Sequence, residues 1–128
     1  MVGSPTKLYK YVQYDTGSAG AAAVAGEVAY YYTLDGYKNN QVTSDLSDSI
    51  EIGAGVLQAV MTDGQFGWIQ ISGPATLTIA LTAGADGDPL TPTGSADGTL
   101  DVSADVTDNV CAIAGDISDK EIICDFPF

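Results

Sequence analysis

Polar and apolar residues alternate with a period of two along much of this chain, and helical periodicity is almost absent. In VAYYYTL, Val28, Tyr30, Tyr32 and Leu34 share one parity, with Ala29, Tyr31 and Thr33 on the other. In ATLTIAL, Leu77, Ile79 and Leu81 alternate with Thr76, Thr78 and Ala80; in TLDVSADV, Leu100, Val102, Ala104 and Val106 alternate with polar neighbours. Successive side chains of a strand point to opposite faces, so these runs predict strands with one dry and one wet face. The stretch GQFGWIQISGPATLTIAL, residues 64–81, reads as a glycine-aromatic turn, a strand anchored by Trp68, a Gly73-Pro74 break and a second strand. The break is expected because proline cannot donate to a central ladder. A lone tryptophan beside Ile69 and Ile71 reads as core, so Trp68, Leu77, Ile79 and Leu81 are the expected scaffold.

Turn residues punctuate these runs, among them Asn39-Asn40, Asp63-Gly64, Gly73-Pro74, Asp86-Gly87 and Asp97-Gly98. Asp63-Gly64 and Asp97-Gly98 suit tight hairpin turns. TSDLSDSI offers one helical turn, capped by Thr43 or Ser44. Many short strands with frequent turns predict an all-β fold: a β-sandwich or small β-barrel of short antiparallel strands, with a C-terminal hairpin and an extended N-terminal arm. Residues 1–25, which include the low-complexity GSAGAAAVAG, are the expected arm or loop region, and residues 26–128 a single β-rich domain.

The C-terminal hairpin is read from VCAIAGDISDKEIICDF. Symmetry about Ile117-Ser118 sets Cys111 opposite Cys124 and Ile113 opposite Ile122, all on one face, which adds Ile113 and Ile122 to the expected core. Directly opposed strand residues sit about 4.5–5.5 Å apart at Cβ, whereas a disulfide wants about 3.5–4.5 Å. The N-terminus lacks the basic-then-apolar order of a signal peptide, so synthesis in a cytoplasm and buried, reduced thiols are expected.

Charge changes the picture more than composition does. The net charge is −13, with four lysines, no arginine and seventeen acids. Residues 1–44 carry three lysines against three acids; residues 45–128 carry fourteen acids against Lys120 alone. Such a surface repels phosphate backbones and anionic membranes, so neither nucleic acid nor membrane is an expected partner. No apolar run reaches the roughly 18 residues of a membrane-spanning helix. The acidic part either is simply a solvated face or leaves the neutral part to meet a partner. Tyrosine follows the same asymmetry, since all seven lie in the first 37 residues. These rings either fill the core of N-terminal strands or form an interface. Tyr9, Tyr11, Tyr14, Tyr31 and Tyr37 are the candidate interface residues, with Tyr31 left pointing outward if Val28, Tyr30, Tyr32 and Leu34 face in.

Reactive chemistry is sparse. Without histidine the chain has no Ser-His or Cys-His pair, and without arginine it has no bidentate anion clamp. Two cysteines cannot close a four-ligand zinc site alone. Nothing singles out an acid-base pair among the seventeen carboxylates, so no catalytic residue, metal or cofactor is expected. Asp86 and Asp88 around Gly87 offer oxygen ligands, yet no EF-hand pattern follows and an ordinary acidic loop tip accounts for them.

One resemblance joins these parts. Gly55-Val56-Leu57, the glycine-aromatic turn into Trp68-Ile69-Gln70, Gly73, Gly87 to Leu90, Asp97-Gly98 and the closing CAIAGDISDKEIICDFPF resemble tailed-bacteriophage capsid decoration (cement) proteins. The likeness runs from Gly26 to Phe128 and is weak over the first 25 residues. It implies a virion protein on the outer capsid surface that binds the major capsid protein, as a homotrimer, and stabilises the assembled head. It implies no catalytic residue. A tail, baseplate or fibre-associated domain and a carbohydrate-binding β module are the alternatives that share this β composition.

Overall fold

The computed structural model describes residues 7–16, 23–33 and 40–127. Among the described residues, nine strands form one continuous all-β sheet that closes on itself at one end. The strands are β1 (Leu8–Tyr14), β2 (Val28–Tyr32), β3 (Gln41–Thr43), β4 (Ser49–Leu57), β5 (Phe66–Thr76), β6 (Pro89–Thr91), β7 (Asp101–Val102), β8 (Ala112–Asp116) and β9 (Glu121–Asp125). The order β1-β3-β2-β4-β5, closed by a β1–β5 pairing, makes a five-stranded barrel. The remainder, β9-β8-β6-β7, extends from β5 as a second sheet. Pairing is antiparallel except between β1 and β3, which run parallel through Gln13↔Gln41 and Tyr14↔Val42. Leu8–Tyr14, expected within an extended arm, is therefore a barrel strand paired to β3 and β5.

Strand β5 belongs to both halves. Its first part pairs with β1, from Phe66 to Ser72, and its last part pairs with β9, from Ser72 to Thr76. The expected strand break at Gly73-Pro74 is instead this change of partner. Gly73 has φ 91°, a conformation that glycine adopts without a Cβ clash, so the strand bends from barrel to sheet without ending. Beyond Thr76 no strand continues. Of the expected ATLTIAL strand, Ala75 and Thr76 end β5 and the rest is a loop in which Leu77 is buried while Ile79 and Leu81 are half-buried.

The barrel core collects Val12, Tyr14, Val42, Leu57, Met61 and Ile69, all nearly inaccessible to solvent. Each fully buried aliphatic side chain of this size stabilises the fold by about 1.5–3 kcal/mol relative to an exposed one. Gly67 leaves room for Met61, whose sulfur would lie 2.7 Å from a Cβ built there. All five residues of β2 are buried, because it is a central strand with both faces covered. Tyr31 thus points inward, not out: it shares a face with Val42, its partner on β3, and its hydroxyl donates to the Pro127 carbonyl and accepts from Lys10 Nζ. The opposite face of β2 is roofed by the 95–99 loop. There the Tyr30 hydroxyl donates to the carbonyls of Ala96 and Thr99 and accepts from the Thr99 amide. Burial pushes the Tyr30 hydroxyl pKa well up.

Two local expectations shift. The single helical turn exists as a 3-10 turn over Leu46–Asp48, but Asp45 caps it by accepting from the Ser47 amide. The C-terminal hairpin exists in a register one residue off the symmetric one. Ala112 faces Cys124, Ile113 faces Ile123 and Ala114 faces Ile122. A 3-10 turn over Ile117–Asp119, with Asp116 as cap and Lys120 at φ 58°, lengthens the connection, and a bulge between Ala114 and Asp116 absorbs the difference. Ile122 is buried as expected. Ile113 lies on the outer face at 45% exposure and leaves the core list. Cys111 and Cys124 are both buried free thiols, with pKa values raised by burial, Cys124 to about 12.

Candidate partner interface

Strands β1 and β5 present an unusual outer face. The register pairs Tyr9 with Gln70, Tyr11 with Trp68 and Gln13 with Phe66, so these six side chains share one side of the ladder. The other side carries Val12 and Ile69, which point into the barrel. Parity decides both sets: on β5, odd-numbered Gly67, Ile69 and Ile71 line the interior and even-numbered Phe66 and Trp68 are turned out, while Gln70 on their side is buried, its amide donating to the Ser72 and Pro74 carbonyls.

The outward aromatics are not covered. Tyr9 is 43% exposed, Tyr11 53%, Phe66 52% and Trp68 54%. They pack against one another: Tyr11 stacks on Phe66 at 5.9 Å and 14°, and meets Trp68 edge-on at 5.0 Å and 61°. Offset-stacked and edge-to-face arrangements are those that aromatic pairs favour. Tyr9, Trp68 and Gln58 line a shallow groove along it. Trp68, expected in the core, is therefore the centre of an exposed strip. Both parities of β5 are bulky and apolar, and alternation alone does not say which parity is inside.

The candidate interface residues divide. Tyr9 and Tyr11 lie on the strip. Tyr14 is a buried barrel residue whose hydroxyl pKa is raised by burial, and Tyr31 is buried as described above. Tyr37 lies outside the described residues. Sequence reasoning missed Phe66 and Trp68 as surface residues. A signal existed: the stretch from Gly64 to Gly84 contains no charged residue in a chain of net charge −13.

The carboxylates have structural uses instead. Asp86 accepts from the Ile117 amide and Asp88 from the Ala85 amide, which ties the 85–88 loop to the hairpin tip and to itself. Asp116, Asp119 and Glu121 bring ligand oxygens within 4.8 Å of one another. Within that group Asp116 Oδ1 already accepts from the Ser118 amide and hydroxyl and the Asp119 amide, and these bonds hold its pKa below the ordinary value. The cluster is the cap of a turn on a hairpin tip.

No family model and no curated protein matches the chain. A solved structure with a similar fold is the head fiber gp8.5 N base of bacteriophage phi29, at 15% identity and a TM-score of 0.57. The likeness covers 96% of this chain and 98% of that one, so it takes in barrel and second sheet together.

Proposed function

We propose that this chain is a structural protein of a tailed-bacteriophage virion, attached to the outer surface of the head, with no catalytic role. The observation that carries this reading is a similarity of fold to a phage head fiber base that extends over nearly the whole of both chains. The chain's own chemistry supports it independently. An uncharged aromatic strip suits attachment to protein, and a net charge of −13 keeps the molecule away from DNA.

A second, finer reading is that of a decoration protein, favoured by the sequence resemblance from Gly26 to Phe128. On that reading the chain binds the major capsid protein as a homotrimer and raises the shell's resistance to disassembly, because a ligand that binds only the assembled state stabilises it. Heads prepared without the protein and mixed with it test both. Bound density on the outside of the head in electron micrographs is the expected result, and absence of binding overturns the proposal. Heads that bind the protein yet disassemble at an unchanged temperature would leave an attachment base and remove the cementing role.

A further inference from the structure

We propose that the Tyr9–Tyr11–Phe66–Trp68 strip is the face that seats on the outer surface of the head-shell protein, with the acidic second sheet turned away from the shell. This rests on the head-attached reading above and assigns it a surface and an orientation.

Three observations meet on this strip. Four aromatic side chains on two adjacent strands are each about half exposed, and monomeric proteins rarely leave such rings together without use. The strip bears no carboxylate, and the one charged residue of β1, Lys10, lies on the other side of the ladder opposite Ile69. Residues 85–125, which supply the second sheet, carry ten acids against Lys120, a net of −9. The molecule therefore has one strip that loses little on desolvation and a second sheet that is costly to cover.

The same charges choose the occupant. Two copies of net charge −13 repel each other, so a neutral or basic protein surface suits this face better than a second copy does. A neutral glycan would need polar groups beside the rings to fix its hydroxyls. The side-chain amides beside the rings are already engaged with backbone carbonyls: Gln58 at Val56, Gln13 at Gly64 and Gln70 at Ser72 and Pro74. A protein surface that is apolar at its centre and neutral or basic at its rim satisfies both conditions. Aromatic anchors of this kind carry most of the energy of protein interfaces.

The test compares Trp68→Ala and Tyr11→Ala with Ile123→Ala, an equally exposed apolar residue on the second sheet. Each is titrated onto heads purified without the protein, and bound copies per head are counted by gel after sedimentation. Wild type is expected to saturate. The two aromatic variants should need at least about tenfold more protein for half-saturation, the loss typical of an interface anchor, and Ile123→Ala should match wild type. Where Trp68→Ala lowers the melting temperature, Tyr9→Ser takes its place at the groove rim. Aromatic variants that saturate heads like wild type overturn the inference and leave the head-attached reading standing. A wild-type protein that does not bind heads overturns both. A loss of binding that coincides with a smaller sedimenting species of the free protein assigns the strip to a second copy and also overturns the inference. So does displacement of wild type from heads by a neutral oligosaccharide.

Discussion

The barrel and the second sheet share strand β5, yet they use exposed apolar residues differently. On the barrel, Tyr11, Phe66 and Trp68 touch one another in a stretch free of acids. On the second sheet, Ile113 and Ile123 are as exposed and face each other across β8 and β9, but Glu121 and Asp125 share the outer face of β9 with them. Exposure is equal in the two places; its neighbourhood is not. An apolar residue ringed by carboxylates is expensive to bury against a partner, whereas one in an uncharged strip is not. Exposure therefore points to an interface on one half of this molecule and to ordinary solvated surface on the other.

Mutations can break this comparison most forcefully on β5, where inside and outside alternate residue by residue. Ile69→Ala removes a fully buried barrel side chain and is expected to cost about 2–5 kcal/mol of unfolding free energy in urea. Its neighbour Trp68→Ala should cost about 1 kcal/mol or less, despite losing the larger side chain, because the ring is half outside. Equal large losses at both positions would return Trp68 to the core.

Next in size is the contact that roofs the barrel. Tyr30→Phe leaves the buried amide and carbonyl of Thr99 without their shared hydroxyl and is expected to cost about 1–3 kcal/mol, read as a lower melting temperature. A neutral outcome would mean that the 95–99 loop does not depend on that hydroxyl.

The smallest effect near neutral pH, growing only in alkali, comes from the buried acids of the core. Cys124 titrates ordinarily at 9.0 and is raised to about 12 in the fold, with Cys111 and Tyr30 raised as well. The unfolded chain releases these protons first, so their stabilising contribution is complete below pH 9.0 and is lost as pH climbs toward the folded values. Urea unfolding is expected to give flat stability from pH 7 to about 9 and a decline above it. Stability that stays level to about pH 10.5 would place the thiols in contact with water.

Much of the fold is legible in the sequence, and the failures share a cause. Asp63-Gly64 and Asp97-Gly98 do form turns, with Gly64 at φ 78° and Gly98 at φ 74°, but inside the longer connections 58–65 and 92–100 rather than as tight hairpin turns. The all-β class follows from period two. Parity, however, identifies two faces without saying which is buried, and a barrel strand with apolar residues on both parities, such as β5, leaves the choice to tertiary packing. That is why Trp68 reads as core and Tyr31 as surface when the reverse holds. The hairpin register fails for a local reason: the Asp116-capped turn with left-handed Lys120 is one of several connections the same residues allow. Closure through a parallel β1–β3 pair leaves no trace in either strand alone. The exposed aromatic strip is half legible. Tyrosine asymmetry leads to Tyr9 and Tyr11, and the uncharged run from Gly64 to Gly84 leads to their partners on β5.

The orientation of the molecule on a head is tested most directly by hydroxyl-radical footprinting of the intact protein, free and bound. Tyr9, Tyr11, Phe66 and the single tryptophan, Trp68, should be oxidised readily in the free protein and protected on heads, while Ile113 and Ile123 stay reactive in both. Unchanged labelling of the aromatic strip on saturated heads, or protection confined to the second sheet, would contradict the account.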